Sequence, residues 1–194
     1  MVIIRLTVQM CSSASGFDVR QSGRKSGWNL ICVCRNTVTW TRYSALSVQA
    51  RQRYKSIPSL AHVAESPPLG AERFKACRVV VAANRHSGEI IGFAAMRLLD
   101  DFLYLDNISV EPGASGKGVG KSLLSSVEAY AQVCQLHAIS LTTFREPRWN
   151  GPWFRQHGFH PMPTERIGDG LRGVMDRQAQ SFNPATRETL WRLL

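Results

Sequence analysis

A glycine-rich segment at residues 115–122 has the residue types that bind phosphate. It reads Ser-Gly-Lys-Gly-Val-Gly-Lys-Ser, so three glycines alternate with other residues and two lysines lie among them. Glycine lets an anion approach the backbone closely, and the first turn of a helix offers unpaired N–H groups and the positive end of the helix dipole. The candidate phosphate-binding residues are Ser115, Gly116, Lys117, Gly118, Val119, Gly120, Lys121 and Ser122.

The residues on either side of this loop predict a strand before it and a helix after it. Apolar and aromatic residues alternate partly with polar ones between Phe102 and Val110, which is typical of a half-buried strand. Pro112 and Gly113 end that strand. From residue 119 to residue 131 apolar residues recur every three or four positions, as in an amphipathic helix. The glycines therefore connect a strand to the N-terminus of a helix.

Two nucleotide-binding motifs fit this loop poorly. A P-loop requires Gly-x-x-x-x-Gly-Lys-Ser/Thr, and its first glycine would fall on Ser115. A dinucleotide-binding turn requires Gly-x-Gly-x-x-Gly, whereas the three glycines here are spaced by two. Judged on its glycines alone, the segment also fits a connection that binds no ligand.

A second pattern lies downstream of the helix. Residues 138–143 have the apolar and β-branched side chains of a strand. Asn150 then begins a segment that ends in Gly158 and Phe159. Pro152 suits the first turn of a helix, and Gly158 suits its C-terminal cap. The sequence therefore predicts a strand, an asparagine and a short helix in that order.

With both patterns in this order, residues 70–160 resemble the GCN5-related N-acetyltransferase (GNAT) superfamily. That superfamily binds the pyrophosphate of acetyl-coenzyme A at an Arg/Gln-x-x-Gly-x-Gly/Ala turn between a strand and a helix. Gly118 and Gly120 match the two required glycines, whereas Ser115 takes the place of the Arg or Gln. The resemblance implies acetyl-coenzyme A as co-substrate. It also implies direct attack on the thioester by a primary amine of a small molecule or peptide.

The fold implied is α/β, with a GNAT-like mixed, mostly antiparallel twisted sheet, helices on both faces and a splayed strand pair at the coenzyme site. The chain itself predicts three consecutive strands joined by tight turns, which form an antiparallel meander. The strand after the long helix needs a crossover, so we expect it to pair parallel with its predecessor. The predicted strands are 78–83, 89–99, 102–110, 138–143 and 187–193, and the predicted helices are 47–55, 117–135 and 171–180.

The resemblance also assigns roles to residues outside the glycine loop. Ile108, Ser109 and Val110 form the strand end that splays from the strand at 138–143 and offers backbone groups to the coenzyme. Asn150 would hydrogen-bond the pantetheine arm, and Phe154 would pack on that arm.

The candidate catalytic residues are Tyr104, Asp106 and Asn107. Members of the superfamily often place a carboxylate or a water chain along this strand, so Asp106 and Tyr104 are candidates for accepting the amine proton and Asn107 for orienting water. Relatives frequently carry an acid at the Asn107 position and a tyrosine, the general acid, at the Phe154 position. A non-catalytic acyl-coenzyme A-binding protein of GNAT-like fold is therefore the alternative function.

The N-terminal part of the chain differs in composition from the rest. Seven of the 24 Lys and Arg residues lie within residues 1–52, together with one acid. We expect residues 1–45 to be a basic, Ser-rich extension and residues 46–194 to be the N-acetyltransferase domain. An edge strand supplied by residues 1–5 is the alternative. An Arg- and Ser-rich beginning is also typical of organellar transit sequences, so a mitochondrial location is an alternative to a cytoplasmic one.

Composition restricts the partners. The net charge is +10, but no basic stripe is interleaved with aromatic residues, so we do not expect nucleic-acid binding. No apolar run approaches ~18 residues, so we expect no membrane span. The five cysteines are odd in number and lack zinc-site spacing, which favours a reducing compartment and no metal. The amine acceptor is the expected partner, and homodimerisation stays open.

Overall fold

The computed structural model describes residues 9–10, 17–18, 28–33, 37–67 and 70–194. The strands are β1 (Gln9–Met10), β2 (Phe17–Asp18), β3 (Trp28–Val33), β4 (Arg78–Asn84), β5 (Ile90–Leu99), β6 (Phe102–Val110), β7 (Ala138–Phe144), β8 (His160–Pro161) and β9 (Arg187–Leu193). The helices are α1 (Thr37–Arg51), α2 (Ala61–Glu65), α3 (Ala71–Lys75), α4 (Val119–Val133), α5 (Gly151–Gln156) and α6 (Asp169–Ala179). Among these helices, none combines the length and the hydropathy that crossing a bilayer requires.

The strands from β3 onward form one seven-stranded sheet in the order β3-β4-β5-β6-β7-β9-β8. β6 and β7 run parallel, whereas β3 with β4, β7 with β9, and β8 with β9 pair antiparallel. The predicted mixed, mostly antiparallel α/β fold is therefore confirmed. The strands predicted from residue 78 onward and the helices predicted at 117–135 and 171–180 all occur, with small shifts at their ends.

Two elements near the N-terminus lie outside the predicted pattern. All six residues of β3 pair with β4, from Trp28 opposite Asn84 to Val33 opposite Val79, and β3 lies at one edge of the sheet, opposite β8. The alternative edge strand at residues 1–5 lies outside the described residues. α1 begins at Thr37, well before the helix predicted at 47–55, and the predicted domain boundary between residues 45 and 46 falls inside it. The rest of the predicted extension is described only at β1 and β2.

The chain folds into two compact units. Unit 1 comprises Met1–Ala95 and Asn107–Val127, and unit 2 comprises Met96–Asp106 and Glu128–Leu194. The core of unit 1 contains an aromatic cluster in which the ring of Tyr43 lies 5.0 Å from that of Phe93 and 5.7 Å from that of Phe74. Trp40 stacks on Phe74 at 5.7 Å. α1 thus contributes two of the largest side chains in this core.

Unit 2 has a core beneath α6. Leu171 and Val174 of this helix are buried with Tyr104 and Met162 in one apolar cluster. The carboxylate of Asp100 accepts hydrogen bonds from the backbone N–H groups of Gly170 and Leu171 at 2.9 and 3.0 Å. A carboxylate at a helix N-terminus satisfies free N–H groups and complements the helix dipole. The turn between β5 and β6 therefore anchors the start of α6.

Truncation of Tyr43 tests whether α1 belongs to the cooperative domain. Only 1% of Tyr43 is exposed, so we expect Tyr43→Ala to lower the free energy of unfolding by about 3–5 kcal/mol, as removal of a buried aromatic ring does. The matched control is the neighbouring Arg42→Ala, which removes an exposed ion pair to Glu89 and should cost less than about 1 kcal/mol. Chemical denaturation of both variants checks this. Equal stability of the two would place residue 43 outside the folded domain.

Candidate functional site

The glycine loop in unit 1 has the backbone that its sequence predicts. Gly116 and Gly118 have φ values of +76° and +83°, in the left-handed region that L-residues other than Asn and Asp rarely adopt. A Cβ atom added at either position would meet no protein atom within 4 Å. Lys117 and Lys121 are both exposed. The loop is therefore open on its outer side and positively charged, as a phosphate site requires.

The first turn of α4 follows the loop directly. The earliest backbone bond into this helix runs from the N–H of Ser122 to the carbonyl of Gly118 at 3.1 Å. The N–H groups of Val119, Gly120 and Lys121 precede that bond and have no acceptor within the helix. Only 1% of Val119 is exposed. A buried side chain thus holds in place a turn whose N–H groups are able to bind an anion.

A glycine in β5 allows α4 to pack closely on the sheet. A Cβ atom at Gly92 would lie 3.1 Å from the carbonyl oxygen of Ser109 and 3.2 Å from side-chain atoms of both Val119 and Leu123. These distances are shorter than ordinary van der Waals contacts. The candidate residues predicted from the sequence do not include Gly92, although a glycine inside a predicted strand indicates a close approach of another element.

The end of β6 in unit 1 holds the next candidate residues. The hydroxyl of Ser109 donates a hydrogen bond to the side-chain carbonyl of Asn107 at 2.8 Å. Ser109 is 7% exposed, and Ile108 and Val110 are half-buried. The structure thus brings Asn107 and Ser109 together at the end of β6, just before the glycine loop. Their hydrogen bond fixes the orientation of the Asn107 amide.

Unit 2 holds the other two candidate catalytic residues. Only 1% of Tyr104 is exposed, and its hydroxyl lies 2.9 Å from the hydroxyl of Thr142 on β7. The guanidinium of Arg97 lies 5.4 Å from the centre of the Tyr104 ring. Asp106 is half-buried further along β6. Tyr104 is therefore held in a hydroxyl network inside the core, whereas the carboxylate of Asp106 retains access to solvent.

The parallel pairing of β6 with β7 is short. Its pairs are Leu103 with Ile139 and Tyr104 with Ser140. In the described part of the chain the ladder ends there, although β6 extends to Val110 and β7 to Phe144. In a splayed pair, the two strands continue beyond the last residues that pair with each other, as β6 and β7 do here.

Asn150 and Phe154 lie at the two ends of the first turn of α5. The side-chain amide of Asn150 donates to the hydroxyl of Thr143 at 3.1 Å, and its backbone carbonyl accepts the N–H of Phe154 at 3.0 Å. Phe154 is 5% exposed and packs edge-to-face against Trp153 and Phe159. The contact with Thr143 was not predicted, and no sequence pattern marks it.

Gly151 is required for the position of α5. An added Cβ atom would collide with a carboxylate oxygen of Glu188 and would lie 2.8 Å from the carbonyl of Arg145. Glu188 accepts a hydrogen bond from Arg155 of the same helix at 2.6 Å. The short helix is therefore held to β9 by a charged contact that leaves room only for glycine. Among the described residues, no group of three His, Cys, Asp or Glu side chains could hold a metal ion.

A family model described as an acetyltransferase (GNAT) domain matches residues 75–161. That range includes β4 to β7, the glycine loop, α4 and α5. Residues 75–161 therefore form a GNAT acetyltransferase domain. The resemblance inferred from the two sequence patterns is thus confirmed, and the general chemistry of this family is transfer of an acyl group from an acyl-coenzyme A.

Solved structures share the fold. The GNAT-family acetyltransferase from Staphylococcus aureus Mu50 superposes with a TM-score of 0.61 at 16% identity, over 86% of this chain and 99% of that one. The PaiA N-acetyltransferase from Thermoplasma acidophilum, in complex with coenzyme A, gives 0.60 at 11% identity over 86% and 99%. N-acetylglutamate synthase from Neisseria gonorrhoeae, with coenzyme A and N-acetyl-glutamate, gives 0.63 at 17% over 88% of this chain and 36% of that longer one.

A side chain at Gly118 tests the loop. Gly118→Val should weaken coenzyme A binding at least tenfold, or about 1.4 kcal/mol, because the side chain would occupy the open space where we expect the pyrophosphate to bind. The positive φ should also lower stability by about 1–2 kcal/mol. Gly88→Val is the matched control, since Gly88 has a φ of +71° and equally open space but lies in the turn between β4 and β5.

Calorimetric titration of coenzyme A and thermal unfolding separate the two effects. We expect both variants to lose stability and only Gly118→Val to lose affinity. Unchanged affinity in Gly118→Val would remove the phosphate-loop assignment.

A methyl group at Gly92 tests the packing beneath that loop. Gly92→Ala should cost about 1–3 kcal/mol of stability through overpacking and should weaken coenzyme A binding, because Val119 and Leu123 must move. Gly70→Ala, with no atom within 4 Å of the added Cβ, is the control for both measurements. If Gly92→Ala binds coenzyme A as tightly as the wild type does, the contact with α4 does not position the loop.

Proposed function

We propose that this chain transfers an acetyl group from acetyl-coenzyme A to a primary amine of a small molecule or peptide by direct attack. The observation that carries the proposal is the loop at residues 115–122. Two of its glycines have a left-handed backbone with empty space beside them. They lead directly into a helix N-terminus that the buried Val119 anchors. In the proposal, the backbone of this loop and the two exposed lysines hold the pyrophosphate.

The remaining coenzyme contacts follow from family membership. Backbone groups of Ile108, Ser109 and Val110 would contact the thioester end of the coenzyme, Asn150 the pantetheine amides, and Phe154 the apolar part of that arm. The short ladder of β6 with β7 supports the first of these roles, because a strand that is not fully paired has backbone groups to offer. One well-placed N–H on the developing oxyanion contributes about 3–4 kcal/mol of transition-state stabilisation.

The acceptor must lose protons during the reaction. An ordinary primary amine has a pKa of about 10.4, so reaching the neutral form at pH 7 costs about 4–5 kcal/mol. The neutral nitrogen then attacks the thioester carbonyl carbon, the C–N bond forms, and the C–S bond breaks as the coenzyme leaves as a thiolate. One proton leaves the nitrogen and one reaches the sulfur. Asp106 is the proposed proton acceptor, because it is a carboxylate with access to solvent, and Asn107 would orient an intervening water.

The leaving thiolate has no obvious proton donor in the proposal. Phe154 occupies the position at which relatives carry a tyrosine, and a phenyl ring cannot donate a proton. A thiol with the pKa of cysteine, about 8.5, leaves as a moderately stable thiolate. Solvent can therefore protonate the coenzyme thiolate. Tyr104 is the one phenol among the candidate residues, and its hydroxyl is engaged with Thr142.

A non-catalytic acyl-coenzyme A-binding protein is the second candidate function. The burial of Tyr104 and the phenylalanine at position 154 favour it, because both reduce the supply of titratable groups at the thioester. Tight coenzyme binding without turnover, unchanged by Phe154→Tyr, would support this alternative. Cys77 is buried and Cys134 is exposed, and neither forms a disulfide in the described part of the chain, which fits a reducing location; we keep the cytoplasm as the proposed one.

Release of free thiol from acetyl-coenzyme A tests the proposed activity. The assay uses a panel of small amines, polyamines and lysine-containing peptides. We expect at least one of these compounds to be required for thiol release. With that acceptor, Asp106→Asn should lower kcat by about 10²–10⁴-fold while leaving the affinity for acetyl-coenzyme A unchanged, because the amide cannot accept the proton.

The exposed Asp101 in the turn before β6 provides the control, and Asp101→Asn should leave kcat unchanged. If no amine of the panel stimulates thiol release, the acetyltransferase proposal is overturned. Full activity of Asp106→Asn would overturn the role of that carboxylate alone.

A further inference from the structure

A cavity of about 320 Å³ lies within unit 2, between α6 and the strands β7, β8 and β9. This volume is at the lower end of the range for small-molecule sites, about 300–1,000 Å³. The cavity is lined by side chains from all four elements, and none of the candidate site residues predicted from the sequence is among them. The coenzyme contacts proposed above therefore do not use this cavity.

The charge on the cavity wall is positive. Two arginines, Arg145 and Arg187, and one acidic residue, Glu188, are among the residues that line it. The carboxylate of Glu188 lies 2.6 Å from Arg155 and 4.0 Å from Arg145, and its side chain is 8% exposed. Glu188 is thus already placed between two guanidinium groups. A ligand that complements this wall carries a negative charge.

Arg187 is held rigidly at the wall. One of its terminal nitrogens donates to the hydroxyl of Thr142 at 3.2 Å and to the side-chain carbonyl of Gln178 at 2.9 Å. Its guanidinium carbon lies 4.5 Å from the centre of the Phe144 ring and 5.5 Å from that of Phe182. A planar guanidinium held in this way loses little conformational entropy when it binds a carboxylate.

The rest of the lining is mainly apolar. Met162, Ile167 and Met175 face the cavity from α6 and from the connection that leads into it from β8. Flexible thioether side chains adapt to apolar groups of different shape. The cavity therefore combines an anion-binding wall with an apolar one, which is the arrangement that suits a small amphipathic acid.

Thr142 connects the cavity to the proposed chemistry inside the same unit. It lines the cavity, accepts the hydrogen bond from Arg187, and lies 2.9 Å from the hydroxyl of Tyr104. Thr143, the next residue of β7, faces the opposite side of the sheet, where it receives the hydrogen bond from Asn150. Tyr104 is therefore the candidate catalytic residue that contacts the cavity wall directly.

We propose that this cavity binds the acceptor and that the acceptor is an amine that also carries a carboxylate and an apolar side chain, such as an apolar α-amino acid. The carboxylate binds Arg187, and the side chain lies against Met162, Ile167 and Met175. This inference rests on the proposed acetyltransferase function, and it narrows the acceptor to amino-acid-like molecules.

Paired ligands that differ only in the carboxylate test the inference. L-leucine and L-phenylalanine are titrated calorimetrically into the full chain, with and without saturating coenzyme A, against isopentylamine and phenethylamine. We expect each amino acid to bind at least tenfold more tightly than its decarboxylated partner in one or both states. Equal affinity within both pairs, or no binding of any of the four, would overturn the inference.

Two variants locate the binding. Arg187→Gln should abolish the preference for the carboxylate, whereas Arg177→Gln, which removes a guanidinium from α6 away from the cavity lining, should preserve it. Arg187 also packs on two aromatic rings, so its replacement could lower stability as well as remove the charge. Ala179→Phe therefore provides an independent test. Ala179 is exposed and lines the cavity, so a phenyl ring there should fill the space and weaken amino-acid binding at least tenfold. Unchanged binding in Ala179→Phe would overturn the inference.

The coenzyme titration separates this inference from the proposed function. Coenzyme A binding with acetylation of amines regardless of a carboxylate would support the acetyltransferase and overturn the amino-acid site. Amino-acid binding that depends on Arg187, without coenzyme A binding, would support the site and overturn the acetyltransferase.

Discussion

The close approach of α4 to β5 at Gly92 is the constraint on which the candidate coenzyme site depends. At this point an added methyl group would lie 3.1 Å from the backbone of β6 and 3.2 Å from two side chains of α4, so these neighbours would have to move by a few tenths of an ångström. Val119 and Leu123 fill the space that a side chain would otherwise occupy, and both are buried. The direction of the free N–H groups at the helix start is therefore set by the apolar packing of Val119 and Leu123 against the sheet.

This arrangement separates the stability of the loop from its binding function. The anchoring side chain, Val119, is adjacent to Gly118, where the outer side is open and the φ is positive. A backbone that binds an anion must stay unobstructed, so it cannot be stabilised by side chains that cover it. The helix beyond it provides that stability instead. Burial of Leu124 and Val127 along α4 extends the same apolar face away from the loop.

Local sequence was sufficient to predict the loop and most strands, because glycine spacing and alternation are properties of neighbouring residues. β3 and the start of α1 were missed, although Trp40, Tyr43 and Leu46 recur at helical spacing and are buried. The basic, Ser-rich composition around them concealed that signal. Side-chain contacts between distant parts of the chain could not be predicted. The cap that Asp100 provides for α6 and the steric need for Gly151 beside Glu188 exist only because the fold brings these residues together.

The catalytic side of the candidate site depends on longer-range contacts than the coenzyme side does, which explains why its residues were harder to predict. Tyr104 is recognisable as a strand residue, but its partner Thr142 lies on another strand, and Thr142 in turn accepts a hydrogen bond from Arg187 on a third. The hydroxyl oxygen of Thr142 accepts a hydrogen bond from Arg187. Its own proton is therefore available to donate to the hydroxyl oxygen of Tyr104, which lies 2.9 Å away. A negative charge placed on Arg187 would weaken the pull of the guanidinium on Thr142 and thereby alter the bond to Tyr104. An acid bound at the proposed site would thus be coupled through Thr142 to the hydroxyl of Tyr104, the candidate catalytic phenol.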